Sequence, residues 1–370
     1  MAILKVEFDN ILCFNGFKAD FTYKKKLVKP LLDEEYLRDF PNIRYKKVNI
    51  IIGSNASGKT ALGKAIWVTL RFLCNKEAER IKEVVADKDK EANILLDFIH
   101  SNGEFFRAEI KVSPTEGVLV RYNALTANKT DSYNSLIKRL DLNKPFRNYV
   151  VELENAIPLG WNFLFPTIET GFDKIYCKVN EGKESDFLKV FEPILKTFDP
   201  SIKEVNKSSE QQDSYMVHFF DGRSIRITHG ESLSALNGLS SGTKYAINVA
   251  SLIYAIQNHE NGFYYADEQF SYADSEIEVH CLSAMIAKLG DGEQLFFTTH
   301  NKEILKMSLP MHSFNFIKKE IENGISKITL INPADFEKRN NVTVNSLYQN
   351  DFFDIMPNVD FIDSLGVNEA

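Results

Sequence analysis

Gly53-Ser-Asn-Ala-Ser-Gly-Lys59-Thr60 fits the pattern G-x-x-x-x-G-K-[ST], and its flanks restrict what the chain can fold into. Val48-Asn-Ile-Ile-Ile52 is a short apolar run that predicts a buried strand, and Ala61 to Leu73 carries apolar residues at helical spacing. A strand, a glycine-rich turn and a helix start bring backbone N–H groups and the positive end of a helix dipole to one point, which favours a polyphosphate. The expected fold is therefore α/β. Gly53, Ser54, Asn55, Ala56, Ser57 and Gly58 would wrap the phosphates, Lys59 would reach the outer ones, and the Thr60 hydroxyl would ligand Mg²⁺.

Gly262-Phe-Tyr-Tyr-Ala266 predicts another buried strand, ending in the carboxylates Asp267 and Glu268. A parallel strand delivers its C-terminal residues to the phosphate side of its sheet, so Asp267 would hold Mg²⁺ and Glu268 would polarise a water attacking the γ-phosphate. Two adjacent acids could equally cap a following helix, but the phosphate loop favours the catalytic role. His300 lies 32 residues after Glu268, at the end of the apolar run Gln294 to Thr299. There it could sense the γ-phosphate or the attacking water.

Leu239-Ser-Ser-Gly242 opens a segment that continues to Gln257 with one apolar helical face. Ser240, Ser241 and Gly242 would present a helix N-terminus to a γ-phosphate, and the bland alternative is an ordinary serine-capped helix.

In this order the four segments resemble an ABC-type ATPase head of the RecF, SMC and OLD-like branch. Met1 to Tyr23, with Asn10-Ile-Leu-Cys-Phe14, resembles that branch's opening strand pair, and Ser271-Tyr-Ala-Asp274 falls at its D-loop, which crosses a dimer interface. His312 to Leu330, with a turn at Gly324, resembles the closing hairpin of AAA-type ATP-binding proteins of bacterial phage-defence systems. The resemblance implies a P-loop NTPase with a mixed β-sheet lobe and a helical signature lobe. It also implies ATP and Mg²⁺ as cofactors, with Ser240, Ser241, Gly242 and Asp274 completing the site of a second copy in a homodimer or higher homo-oligomer. Three positions depart from the family pattern. Leu12 stands where many relatives carry arginine, Gln269 replaces a common proline without expected consequence, and Asn123 is the nearest candidate for the Q-loop glutamine.

The 44% apolar content suffices for a large core, and the four cysteines lack paired or zinc-type spacing, as expected of free thiols in a reducing compartment. No apolar stretch reaches membrane-spanning length and no signal pattern opens the chain, so a cytoplasmic protein without membrane contact is expected. A net charge of −7 argues against tight autonomous nucleic-acid binding, although Lys24-Lys-Lys26 and Arg44-Tyr-Lys-Lys47 could touch nucleic acid.

Four segments are expected: 1–125, the first half of the head; 126–221, a compact insertion of helices and loops; 222–335, the second half; and 336–370, a C-terminal extension bearing Arg339-Asn-Asn341, Asn345 and Phe352-Phe353. No sustained heptad pattern occurs, so no long coiled-coil arm is expected. The 70 residues after His300 are too few for the nuclease domain of OLD-type enzymes, which points to a separately encoded effector, itself a candidate nuclease. The favoured expectation is an ATPase sensor or regulatory subunit of an anti-phage module. A RecF-like DNA-repair ATPase is the alternative.

Overall fold

The structure, a computed structural model, describes residues 1–23, 32, 35–154, 160–166, 173–322, 325–337, 342–353 and 355. The expectations placed on Lys24 to Lys26, Gly324 and Arg339 to Asn341 lie outside these residues. At the centre is a six-stranded sheet in the order Trp161–Leu164, Phe263–Asp267, Gln294–Thr299, Val48–Ile52, Phe314–Glu322, Ile325–Ile331. The first five strands run parallel and the last closes an antiparallel hairpin.

Strands 48–52, 263–267 and 294–299 are buried at every position, as expected for parallel strands covered on both faces. Alternate side chains serve two cores. Ile51, Phe263, Tyr265 and Phe296 pack towards the helix Lys59–Asn75, whereas Ile50, Ile52, Tyr264, Ala266 and Phe297 pack towards the helices Ser241–Gln257 and Ser275–Lys288. The register pairs Asp267 with Thr298 and Thr298 with Ile51, so Ile52, Asp267 and Thr299 all end at one edge of the sheet.

A second sheet covers the outer side of the Lys59–Asn75 helix. Its strand order is Phe17–Asp20, Ala2–Asp9, Ala92–Ile99, Glu104–Ser113, Gly117–Thr126, Arg147–Asn148, all antiparallel neighbours. The opening strand pair is thus formed. On the face turned away from the helix, Asp97 is fully buried and accepts from Arg107 through Nε and Nη2, both at 2.7 Å, and from the Tyr133 hydroxyl at 2.6 Å. Burial pushes the Asp97 carboxyl up, against the pull of Arg107. Arg107→Met strands this carboxylate, and chemical denaturation is expected to show a loss of about 3–5 kcal/mol.

The region expected to be an insertion of helices and loops contains more sheet than its sequence suggests. Ile202–Lys207, Ser214–Phe219 and Ser224–Thr228 form an antiparallel sheet that, with the helix Glu184–Phe198, packs on the outer face of the Ser241–Gln257 helix. The expected boundary at 221 cuts the hairpin between the second and third of these strands. Trp161–Leu164 also belongs to the central sheet rather than to an insertion. The Ser241–Gln257 helix therefore has apolar contacts on both sides, with Val249, Leu252 and Ile253 in the central core and Ala246, Ile247 and Ala250 in the lobe core. Among the described residues, no helix is long and apolar enough to cross a membrane.

Candidate active site

The phosphate loop is held by backbone constraints. A Cβ at Gly53 would lie 2.6 Å from the Ile317 carbonyl oxygen, so only glycine fits against the closing hairpin. Ala56 and Gly58 adopt left-handed backbone, with φ of +60° and +110°, and this turns successive N–H groups inward. The helix that follows has no side-chain cap and no acidic residue in its first turn, leaving its N-terminal N–H groups for an anion. The Ser57 hydroxyl oxygen is buried without a hydrogen-bond partner. Tyr265 fixes the helix start by donating from its hydroxyl to the Lys59 carbonyl at 2.9 Å, and a Cβ at Gly63 would meet its ring at 2.6 Å. The motif pattern gives no sign of this tyrosine–glycine lock, because the two residues are far apart in sequence.

Lys59, Glu268 and His300 meet at the sheet edge. The Lys59 ammonium donates to the Gly53 and Ser54 carbonyls at 2.8 and 3.0 Å and lies 3.2 Å from Glu268 Oε1. His300 Nε2 is 2.8 Å from the same oxygen, and its Nδ1 is 3.5 Å from the Lys59 ammonium. One tautomer satisfies both contacts, with Nε2–H donating to Glu268 and Nδ1 accepting from Lys59. Burial lowers the Lys59 ammonium despite Glu268, while Glu268 is pulled below the usual carboxylate range because His300 and Lys59 outweigh its burial. Glu268 sits at φ +47°, and its N–H donates to the Thr298 hydroxyl at 3.1 Å, so the turn that aims the carboxylate is held by the neighbouring strand.

Asp267 is fully buried. Its Oδ1 accepts from the Thr298 hydroxyl at 2.6 Å, and no hydrogen bond reaches Oδ2, although the Thr60 hydroxyl lies near enough to favour the ionised form. Burial still pushes the carboxyl up to about 6. An unpartnered buried carboxylate oxygen beside a threonine hydroxyl fits a hard divalent cation, so Thr60 and Asp267 would hold Mg²⁺ here. The bound ion would favour the carboxylate and neutralise phosphate charge.

The other sequence candidates lie elsewhere. Ser240 and Ser241 are exposed and Gly242 is half-exposed at the start of the Ser241–Gln257 helix, where Ser240 caps the chain by accepting from the Thr243 N–H at 3.1 Å. Asp274 caps the next helix by accepting from the Glu276 N–H at 2.8 Å. The two segments touch, since a Cβ at Gly242 would lie 2.9 Å from the Tyr272 carbonyl oxygen and Tyr245 packs on Tyr272 at 5.5 Å. Among the described residues, no hydrogen bond or ion pair joins Ser240, Ser241, Gly242 or Asp274 to residues 53–60 of the same chain.

Asn123 does not serve as the Q-loop residue. Its strand position pairs with Arg107, which places it with Asp97 and Arg107 on the sheet face turned away from the phosphate-loop helix. Leu12 is committed to structure, with its N–H donating to the Val84 carbonyl at 2.7 Å. Gln269, expected to be neutral, is buried and donates from Nε2 to the Asp267 carbonyl at 2.8 Å and to that of Leu164 at 3.4 Å, tying the edge strand to the acidic turn. Gln269→Ala is expected to cost about 2 kcal/mol in a denaturant titration, because two buried carbonyls lose their donor.

No protein-family model matches the chain, and no curated protein matches it in sequence. Solved structures do match. An SMC head bound to the C-terminal winged-helix domain of ScpA is 16% identical, with a TM-score of 0.53 over 90% of this chain and 98% of that one. An SMC head with an extended coiled coil, bound to the C-terminal domain of ScpA and derived from Pyrococcus furiosus, is 13% identical, with a TM-score of 0.53 over 90% and 97%. The fold is that of SMC head domains.

Proposed function

We propose that the chain is a Mg²⁺-dependent ATPase that binds ATP at Gly53 to Thr60 and closes on it as a head-to-tail homodimer. The reading rests on one observation: within one copy, among the described residues, no hydrogen bond or ion pair joins two groups of candidate residues. Lys59, Thr60, Asp267, Glu268 and His300 form one wall, and the exposed helix start at Ser240 to Gly242 forms the other. With ATP between two copies, the second copy's N–H groups and Ser240 hydroxyl meet the γ-phosphate. Lys59 and Thr60 hold the phosphates and the cation, and Glu268 orients the attacking water. Loss of the γ-phosphate removes the contact that favours the closed state, so hydrolysis loosens the dimer.

Complementation between variants tests the composite site. Lys59→Ala and Ser240→Arg are each expected to be inactive alone, and mixing them should restore roughly a quarter of wild-type hydrolysis, since half the dimers then contain one intact site of two. A mixture as inactive as its components contradicts the shared site.

At the level of assembly, the resemblance to phage-defence ATPases supports a sensor or regulatory subunit acting on a separately encoded effector in the cytoplasm. The ScpA domains on both SMC heads support a head surface that docks a partner protein. Affinity capture from the native host is expected to return one stoichiometric partner. Strong stimulation of hydrolysis by duplex DNA with a steep salt dependence would instead favour a repair ATPase.

A further inference from the structure

A cavity of about 490 Å³ lies away from the phosphate loop, between the body of the Lys59–Asn75 helix, the edge strand Trp161–Leu164 and the middle of the Ser241–Gln257 helix. Its size falls within the range of small-molecule sites, about 300–1,000 Å³. Its lining combines flat aromatic surface with positive charge. Trp67, Trp161 and the 41%-exposed Tyr176 supply rings, and Arg71 and Arg80 supply two guanidinium groups.

Among the described residues, the charge is incompletely neutralised. Glu77 faces both arginines, 2.5 Å from Arg80 Nε and 3.6 Å from Arg71 Nε, so one carboxylate serves two cations. No carboxylate is among the described residues lining the cavity. Arg71 Nε is buried with no hydrogen-bond partner, and its guanidinium sits 5.2 Å from the centre of the Trp67 ring. Among the described residues, Arg71, Arg80 and Glu77 leave one net positive charge beside the stacking surfaces. Asn162 adds a half-buried amide on the edge strand, while the Asn248 amide is already committed, accepting from the Tyr176 N–H at 2.9 Å and donating to the Lys174 carbonyl at 2.8 Å. Asn248 thus holds the Tyr176 wall in place.

We propose that this cavity binds a phosphorylated nucleoside, its base stacked among Trp67, Trp161 and Tyr176 and its phosphate paired with Arg71 and Arg80. A free nucleotide and a nucleotide within a single strand share this chemistry. The site is independent of the phosphate loop and of the ATPase reading.

The chain contains only two tryptophans, and both line this cavity, so indole emission reports on it directly. The Lys59→Ala variant, whose phosphate loop is disabled, is titrated with AMP, GMP, CMP and UMP, with the corresponding nucleosides, and with a short single-stranded oligonucleotide. A saturable change in emission is expected with at least one mononucleotide or with the oligonucleotide, the two arms separating the two sources. Removing the phosphate, or introducing Arg71→Ala with Arg80→Ala, is expected to weaken binding about tenfold or more. Arg80→Glu, at an exposed position, is expected to weaken it comparably and guards against misfolding of the double variant. The proposal is overturned if no phosphorylated probe gives a saturable change, if nucleoside and nucleotide bind equally, or if Arg80→Glu leaves the affinity unaltered.

Discussion

Glu268→Gln is expected to slow ATP hydrolysis by about 10²- to 10⁴-fold while leaving ATP binding intact. Glu268 Oε1 is the point where His300 and Lys59 converge, at 2.8 and 3.2 Å, and its low proton affinity keeps it ionised at neutral pH. The amide preserves shape and can still meet His300, but it can neither accept a proton from water nor hold a full negative charge against it. Removing the negative charge also reduces repulsion of the triphosphate, so nucleotide affinity should hold or rise. Single-turnover hydrolysis measured beside equilibrium binding separates the two effects. A variant that hydrolyses at the wild-type rate would remove Glu268 from the mechanism.

Lys59→Ala is expected to weaken ATP binding by about 100-fold, reflecting the loss of charge-assisted hydrogen bonds to phosphate oxygens. Lys59 is only 4% exposed and is held by two carbonyls of its own loop, so its ammonium is placed before any ligand arrives. That preorganisation limits the ordering cost of binding. Calorimetric titration with ATP and Mg²⁺ measures the loss. Unchanged affinity would mean that the polyphosphate binds somewhere other than Gly53 to Thr60.

Much of this site is legible in the sequence because its parts are contiguous. A strand end, a glycine turn and a helix start form a local unit in Gly53 to Thr60, and Asp267–Glu268 and His300 each sit at the end of an apolar run. Parallel pairing then brings three strand ends together without any need to know the rest of the fold. The illegible parts depend on distant pairing. Trp161–Leu164 is four residues long, too short to show whether it joins the central sheet, and only its register with Phe263–Ala266 settles it. Ile202–Lys207 buries just two of six positions, spaced by three, so the alternation that marks a half-buried strand is missing. Tyr265 reads as one more apolar residue until its hydroxyl is seen on the Lys59 carbonyl. Asn123 failed as a Q-loop residue for the same reason: the side of the sheet it faces is set by pairing with Arg107, not by distance along the chain.

The proposal that two copies share one triphosphate is tested most directly by the molar mass of the Glu268→Gln variant in solution, measured by sedimentation with and without saturating Mg-ATP. A monomer that becomes a dimer only with Mg-ATP, and returns to monomer with Ser240→Arg added, is the expected result. A mass that stays monomeric at saturating Mg-ATP would contradict it.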